Sequence, residues 1–245
     1  LFHVRTLGTA FLLCLAAFCQ AASPASSPER RLQPARWLLI LDTSAAMETR
    51  AKAVEGVAAE LLGSAMNGQM QPGDELGIWS YNQQLYAGVA PMQMWNPAQS
   101  NLITSRTIDF LSRQVYRDAG RIEKVIPEVL GLASESRQLT VVWFSDGSQK
   151  FAGTPFDDEL NAAQARLRPS IEPTRMPIVT VLRGYRGKLT AQNVTLAPWP
   201  VQFPAFTNEL AWTNVASLAV APPKRVPNTN NMIVMGPGKK PSTPA

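Results

Sequence analysis

The chain is expected to fold as an α/β domain, a doubly wound and mostly parallel sheet flanked by helices. Three observations predict this. Trp37-Leu38-Leu39-Ile40-Leu41 and Leu139-Thr140-Val141-Val142-Trp143-Phe144 are apolar or β-branched runs without alternation, the pattern of strands buried on both faces. Between such runs the apolar residues recur every three or four positions, as on amphipathic helices. Each of the two runs ends at an aspartate, Asp42 and Asp146, with Ser145 intervening in the second. In open α/β sheets, ligands gather just beyond the carboxyl ends of the strands.

In chain order, the first strand covers about 37 to 42. The helix that follows places Met47, Ala51, Val54, Ala58, Leu61 and Ala65 on one face. Gln71-Pro72-Gly73-Asp74 reads as a turn, and Leu76 to Tyr81 as the next buried strand. Leu85 to Trp95 suits an edge strand, because Pro91 lacks the N–H that a central strand needs. Asn96-Pro97 provides an N-cap and a first-turn proline for a helix to about Arg113. Ile122, Val125, Ile126, Val129, Leu130 and Ala133 form another helical face, which Pro127 either kinks or begins.

The strand before Asp146 comes next. Thr154-Pro155, with Asp157, Asp158 and Glu159 behind it, opens a helix expected to stop before Pro169. Ile178 to Leu182 is a further buried strand. Beyond Gly184 the pattern fades, with Asn208 to Val220 open to either a strand or a helix. Trp37, Trp79 and Trp143 read as core strand residues. Trp95, Trp199 and Trp212 fall in less regular segments and are candidates for a partner surface.

The ends of the chain have a different character. Arg5, the apolar stretch Leu7 to Phe18 and the small residues from Ala21 to Ser23 have the make-up of a secretory signal peptide, 1–21. The bulky Phe18 before Cys19 argues against a lipidated cysteine. Residues 22–35, rich in Ser, Pro and Ala, read as a linker, and 36–220 as the folded domain. Residues 221–245, rich in Pro and Gly and basic, read as a disordered tail. Cleavage of the leader would remove both cysteines, Cys14 and Cys19, and the single histidine, His3. What remains would lack the means for a disulfide, a Cys/His zinc site, a cysteine nucleophile or a Ser-His-Asp triad. An exported chain of this size without disulfides suits a bacterial envelope, periplasmic or extracellular.

The formal net charge of +5 misleads about partners. Lys224, Arg225, Lys239 and Lys240 lie in the acid-free tail, whereas residues 22 to 220 carry 18 charges of each sign. A folded body without a basic excess argues against nucleic acid. Membrane contact is expected only through the leader, or weakly through the basic tail.

Three segments resemble one family. Asp42-Thr43-Ser44-Ala45-Ala46-Met47 resembles the D-x-S-x-S-M opening of von Willebrand factor type A domains. Pro72-Gly73-Asp74-Glu75-Leu76-Gly77-Ile78-Trp79-Ser80-Tyr81 is similar to that family's second-strand signature, and Phe144-Ser145-Asp146-Gly147 to its later strand and Asp-Gly loop. The resemblance covers roughly 36 to 184. It implies a doubly wound fold and recognition of a protein partner, without catalysis, at the carboxyl edge of the sheet. It also implies a divalent ion there, Mg2+ or Mn2+, on Asp42, Ser44 and Asp146. Such ions take oxygen ligands and keep several waters.

Two positions depart from the family. Ala46 replaces its second serine, and Arg121 stands where a threonine is expected. Three readings are therefore open: a divalent ion on Asp42, Ser44 and Asp146, the guanidinium of Arg121 in place of that ion, or carboxylates that merely cap helices and turns. Thr104, Ser105 and Thr107 offer replacement hydroxyls, although helical periodicity accounts for that segment. A competing function is a metal-dependent, phosphatase-like hydrolase with Asp42 as nucleophile. Such enzymes want a second acid two positions later, where this chain has Ser44, and no Gly-rich phosphate loop is present. A third is a metal-free scaffold of the same fold.

Overall fold

The computed structural model describes residues 34–206. The signal peptide, nearly all of the linker, the 208–220 element and the basic tail lie outside the described residues. Within them, seven strands form one mixed sheet, flanked by helices. The strands are β1 (Arg36–Asp42), β2 (Glu75–Tyr81), β3 (Leu85–Tyr86), β4 (Gln93–Met94), β5 (Gln138–Ser145), β6 (Ile178–Tyr185) and β7 (Lys188–Leu196). The helices are α1 (Ala51–Gly63), the four-residue α2 (Ala65–Gly68), α3 (Ser100–Ser112), α4 (Ile126–Glu135) and α5 (Asp157–Thr174). The sheet order is β3-β2-β1-β5-β6-β7, with β4 also paired to β2.

The centre of the sheet is parallel. β1 pairs with β2 on one side and β5 on the other, Leu41 lying beside both Ser80 and Phe144. Alternate residues of β1 face opposite layers. Trp37, Leu39 and Leu41 join Val54, Ala58 and Leu61 of α1 and Ile103 and Leu111 of α3. Leu38 and Ile40 join Ile126, Val129 and Ala133 of α4. Both faces are thereby covered, which is why these strands read as unbroken apolar runs. No helix among the described residues is long and apolar enough to cross a membrane.

The flanks depart from the mostly parallel expectation. β6 runs antiparallel to β5, with Ile178 opposite Ser145, so the chain re-enters the sheet at the edge it had just left. The expected fading after Gly184 is corrected by β7, which pairs antiparallel with β6 from Lys188 to Leu196. Arg186 and Gly187, at φ 48° and 85°, make the two-residue left-handed turn that matches strand twist in a hairpin. The expected edge strand over 85–95 is reduced to two short pairings, β3 and β4, at opposite ends of β2.

Two proline positions resolve differently. Pro127 begins α4, where its missing N–H is one of the orphans of a first turn. α5 starts at Asp157 and continues through Pro169 and Pro173, past the expected stop. Both prolines are exposed, so the carbonyls they leave without a donor face water. Asp157 collects the hydroxyl of Thr154 and the N–H groups of Gly153 and Thr154, at 2.6, 2.7 and 2.9 Å, and these bonds hold its carboxyl below the usual range. Trp95 is buried rather than a surface marker, whereas Trp199 is 71% exposed.

At the amino edge of the parallel strands the segment after β7 folds back across the sheet. Phe203 meets Trp37 edge-on at 5.6 Å, and the buried Arg183 donates to the Pro204 carbonyl at 3.0 Å. The same guanidinium bonds Thr140 and Gln69 and lies 4.4 Å from the Phe206 ring centre. Asp74, from the second-strand signature, is the other anchor here. Its carboxylate accepts from Ala35 N, Trp37 Nε1 and Gln71 N at 3.0, 3.0 and 2.9 Å.

Candidate functional site

Asp42 is the last residue of β1, and Asp146 follows the last residue of β5. Because these strands are parallel neighbours in register, both acids emerge at the carboxyl edge of the sheet. Their charges repel, and that repulsion is one of the influences raising the pKa of Asp42. The loops at this rim are stitched together. Thr43 N donates to the Tyr81 carbonyl, Arg117 N to the Thr43 carbonyl and Ala45 N to the Asp118 carbonyl, at 2.7, 3.0 and 3.0 Å.

Asp42 is 0% exposed, and each of its oxygens is engaged. Oδ1 accepts the backbone N–H of Ser44 at 2.8 Å, and Oδ2 accepts Gln149 Nε2 at 2.9 Å. Burial pushes the carboxyl up to about 6, against the pull of the Ser44 hydroxyl and N–H and of the Tyr81 hydroxyl. Tyr81 lies beneath, fully buried, and its own phenol is pushed well above the ordinary range by burial and by the charge of Asp42. Asp146 sits nearer the surface. Its Oδ1 accepts both the N–H and the hydroxyl of Ser148, at 2.9 and 2.7 Å.

Ser44, like Asp42, is buried and stands where the resemblance places it. Arg121 does not reach the aspartates. Its side chain is 56% exposed and faces Glu123 Oε1 at 3.4 Å, while its backbone N–H bonds the Asn82 carbonyl. Ala46 is exposed, and its carbonyl accepts from Arg50 at 2.6 Å. Thr104, Ser105 and Thr107 belong to α3, as periodicity implies.

The residue that sequence reasoning missed is Gln149. Its Oε1 accepts Ile122 N at 2.7 Å while its Nε2 donates to Asp42, so one primary amide spans the space between β1 and the turn after Gly120. The two contacts fix which end of the amide is which, since a backbone N–H needs an acceptor and a carboxylate a donor. Gly120 makes room for it: a Cβ there would lie 2.8 Å from Gln149 Cδ and collide with the amide nitrogen. Nothing local in Asp146-Gly147-Ser148-Gln149 announces this bridge, because its partners lie 27 and 107 residues away.

As arranged, Asp42, Ser44 and Asp146 do not fit a divalent ion. Both Asp42 oxygens already hold N–H donors, Ala46 brings no hydroxyl, and a cation would first have to displace the Gln149 amide. Among the described residues no group of three or more His, Cys, Asp or Glu side chains gathers around a point. No family model matches the chain, and no curated protein matches it.

Proposed function

We propose that the chain is an exported, non-enzymatic recognition module of the von Willebrand factor type A kind, which binds a protein partner at the carboxyl edge of its sheet. The observation that carries this reading is the delivery of Asp42 and Asp146 to one rim from neighbouring parallel strands. The rim is braced by backbone bonds between separate loops, so its shape is set before a partner arrives. Val115, 67% exposed on the loop tied to Thr43, adds apolar surface there. The doubly wound architecture belongs to the same proposal. It is supported by α1 and α3 on one face and α4 on the other, while antiparallel β6 and β7 depart from it.

The burial of Asp42 favours recognition over hydrolysis. A carboxylate nucleophile must be open to its substrate, and this one is enclosed with both oxygens bonded. The export reading rests on the composition of residues 1–21.

Site-specific photo-crosslinking in the intact envelope tests the proposal. A crosslinker at Val115 or Ser148 is expected to give an adduct of defined mass that a crosslinker at Gln71, exposed near the opposite edge, does not. Adducts from Gln71 alone would move the docking surface elsewhere. Steady turnover of a phosphate monoester, lost in Asp42→Asn, would replace recognition by catalysis.

A further inference from the structure

We infer that Gln149 stands in place of an ion at this rim, so that the docking edge is held in one geometry, and used, without a divalent cation. The inference deepens the recognition reading by stating how that edge is assembled. An ion at the carboxyl edge of a sheet would do two things: neutralise a buried carboxylate and tie separate loops to it. Here the Gln149 amide does the second, and in place of the first it gives Asp42 one N–H hydrogen bond without neutralising its charge. Its N–H dipole faces Asp42 Oδ2, and its carbonyl holds Ile122 N, joining the end of β1, the loop after β5 and the turn before α4.

The fit is two-sided. Gly120 has no side chain at the one point where a Cβ would strike the amide, and the other carboxylate oxygen is already taken by Ser44 N. The cation that the sequence offered as a substitute, Arg121, faces Glu123 instead. In a rim closed in this way an N–H donor already occupies each Asp42 oxygen. A partner is therefore read through hydrogen bonds and apolar contact, and need not present an acid to a metal.

The decisive variant is Gln149→Glu, measured in the full chain by thermal unfolding. It turns the donor facing Asp42 into a third carboxylate beside Asp42 and Asp146. The expected result is a lower midpoint in EDTA, by about 3 to 8 °C for a domain of this size, recovered on adding Mn2+. The wild-type midpoint is expected to be the same in EDTA and in Mn2+. Gln149→Ala, which adds no charge and removes both amide hydrogen bonds, is expected to lower the midpoint in EDTA. It serves alone if Gln149→Glu does not fold.

Three results would overturn the inference. One is a wild-type midpoint that rises with Mn2+ and loses the rise in Asp42→Ala, since the ion would then be displacing the amide. Another is Gln149→Ala matching wild type in EDTA. The third is a folded Gln149→Glu indifferent to Mn2+. All of these readouts concern ion binding and stability, so they fail independently of the photo-crosslinking that tests recognition.

Discussion

The indole Nε1 of Trp143 donates to the hydroxyl of Tyr81 at 3.1 Å, and the two rings meet edge to face with centroids 5.6 Å apart. Trp143 belongs to β5 and Tyr81 to β2, with β1 between them, so the bond reaches across the strand that ends in Asp42. It orients the phenol beneath that carboxylate. Tyr81→Phe is expected to strand the buried indole N–H and cost about 1–3 kcal/mol, measured by urea unfolding. The same variant removes a group that favours ionised Asp42, so the carboxyl should titrate above its present value of about 6.

Asp42 gives the rim a pH dependence of known sign. Its native pKa of about 6 lies above the ordinary 3.8, so between those values the native state holds a proton that the unfolded state has released. The contribution of this group to stability is therefore full below about pH 4, declines as pH rises toward 6, and is lost above about 7. Asp42→Asn is expected to remove that slope. The stability of wild type relative to the variant should fall through this window by at most about 1.4 kcal/mol per pH unit and level off above it. Equilibrium unfolding of both proteins from pH 4 to 8 checks this, and a rising difference would be the wrong sign.

At the opposite edge Asp74 carries three donors, two of them backbone N–H groups. Asp74→Ala would leave Trp37 Nε1 and the N–H groups of Ala35 and Gln71 without this acceptor. The expected loss is about 3 kcal/mol or more, from a denaturant midpoint. Asp74→Asn, which keeps one acceptor oxygen, should lose less.

Gly120 and Gln149 should couple. Gly120→Ala alone drives a methyl into the amide and is expected to cost about 1–3 kcal/mol, as overpacking does. In a Gln149→Ala background the collision has no target, so the double variant should be more stable than the sum of the singles predicts. Strict additivity, measured by unfolding, would mean that the two side chains do not share that space.

The legibility of this fold differs from element to element. β1 and β5 were readable because strands buried on both faces leave long apolar runs, β2 from Leu76, Ile78 and Trp79 although its burial alternates, and α1 and α3 because one buried face imposes a spacing of three and four. The β6–β7 hairpin was not. Its second strand is half-buried along most of its length, and Arg186-Gly187 is a turn signal only once a strand is known to follow it. Pro169 misled for a related reason. A proline argues against a helix on average, and a solvated end tolerates what a buried one would not.

The amino-acid order by itself determined that two aspartates lie at the ends of central strands, because burial writes its period into consecutive residues and a strand end then locates itself. Only the tertiary structure decided what meets those aspartates. Arg121 was the nearest cation by motif position, yet it turned outward to Glu123, where a guanidinium stays hydrated. Gln149 turned inward, because a neutral amide costs less to bury and both its ends found partners. Periodicity reports which face of an element is covered. It carries no record of which distant side chain crosses the remaining gap, since that depends on loops whose courses are set by the packed whole.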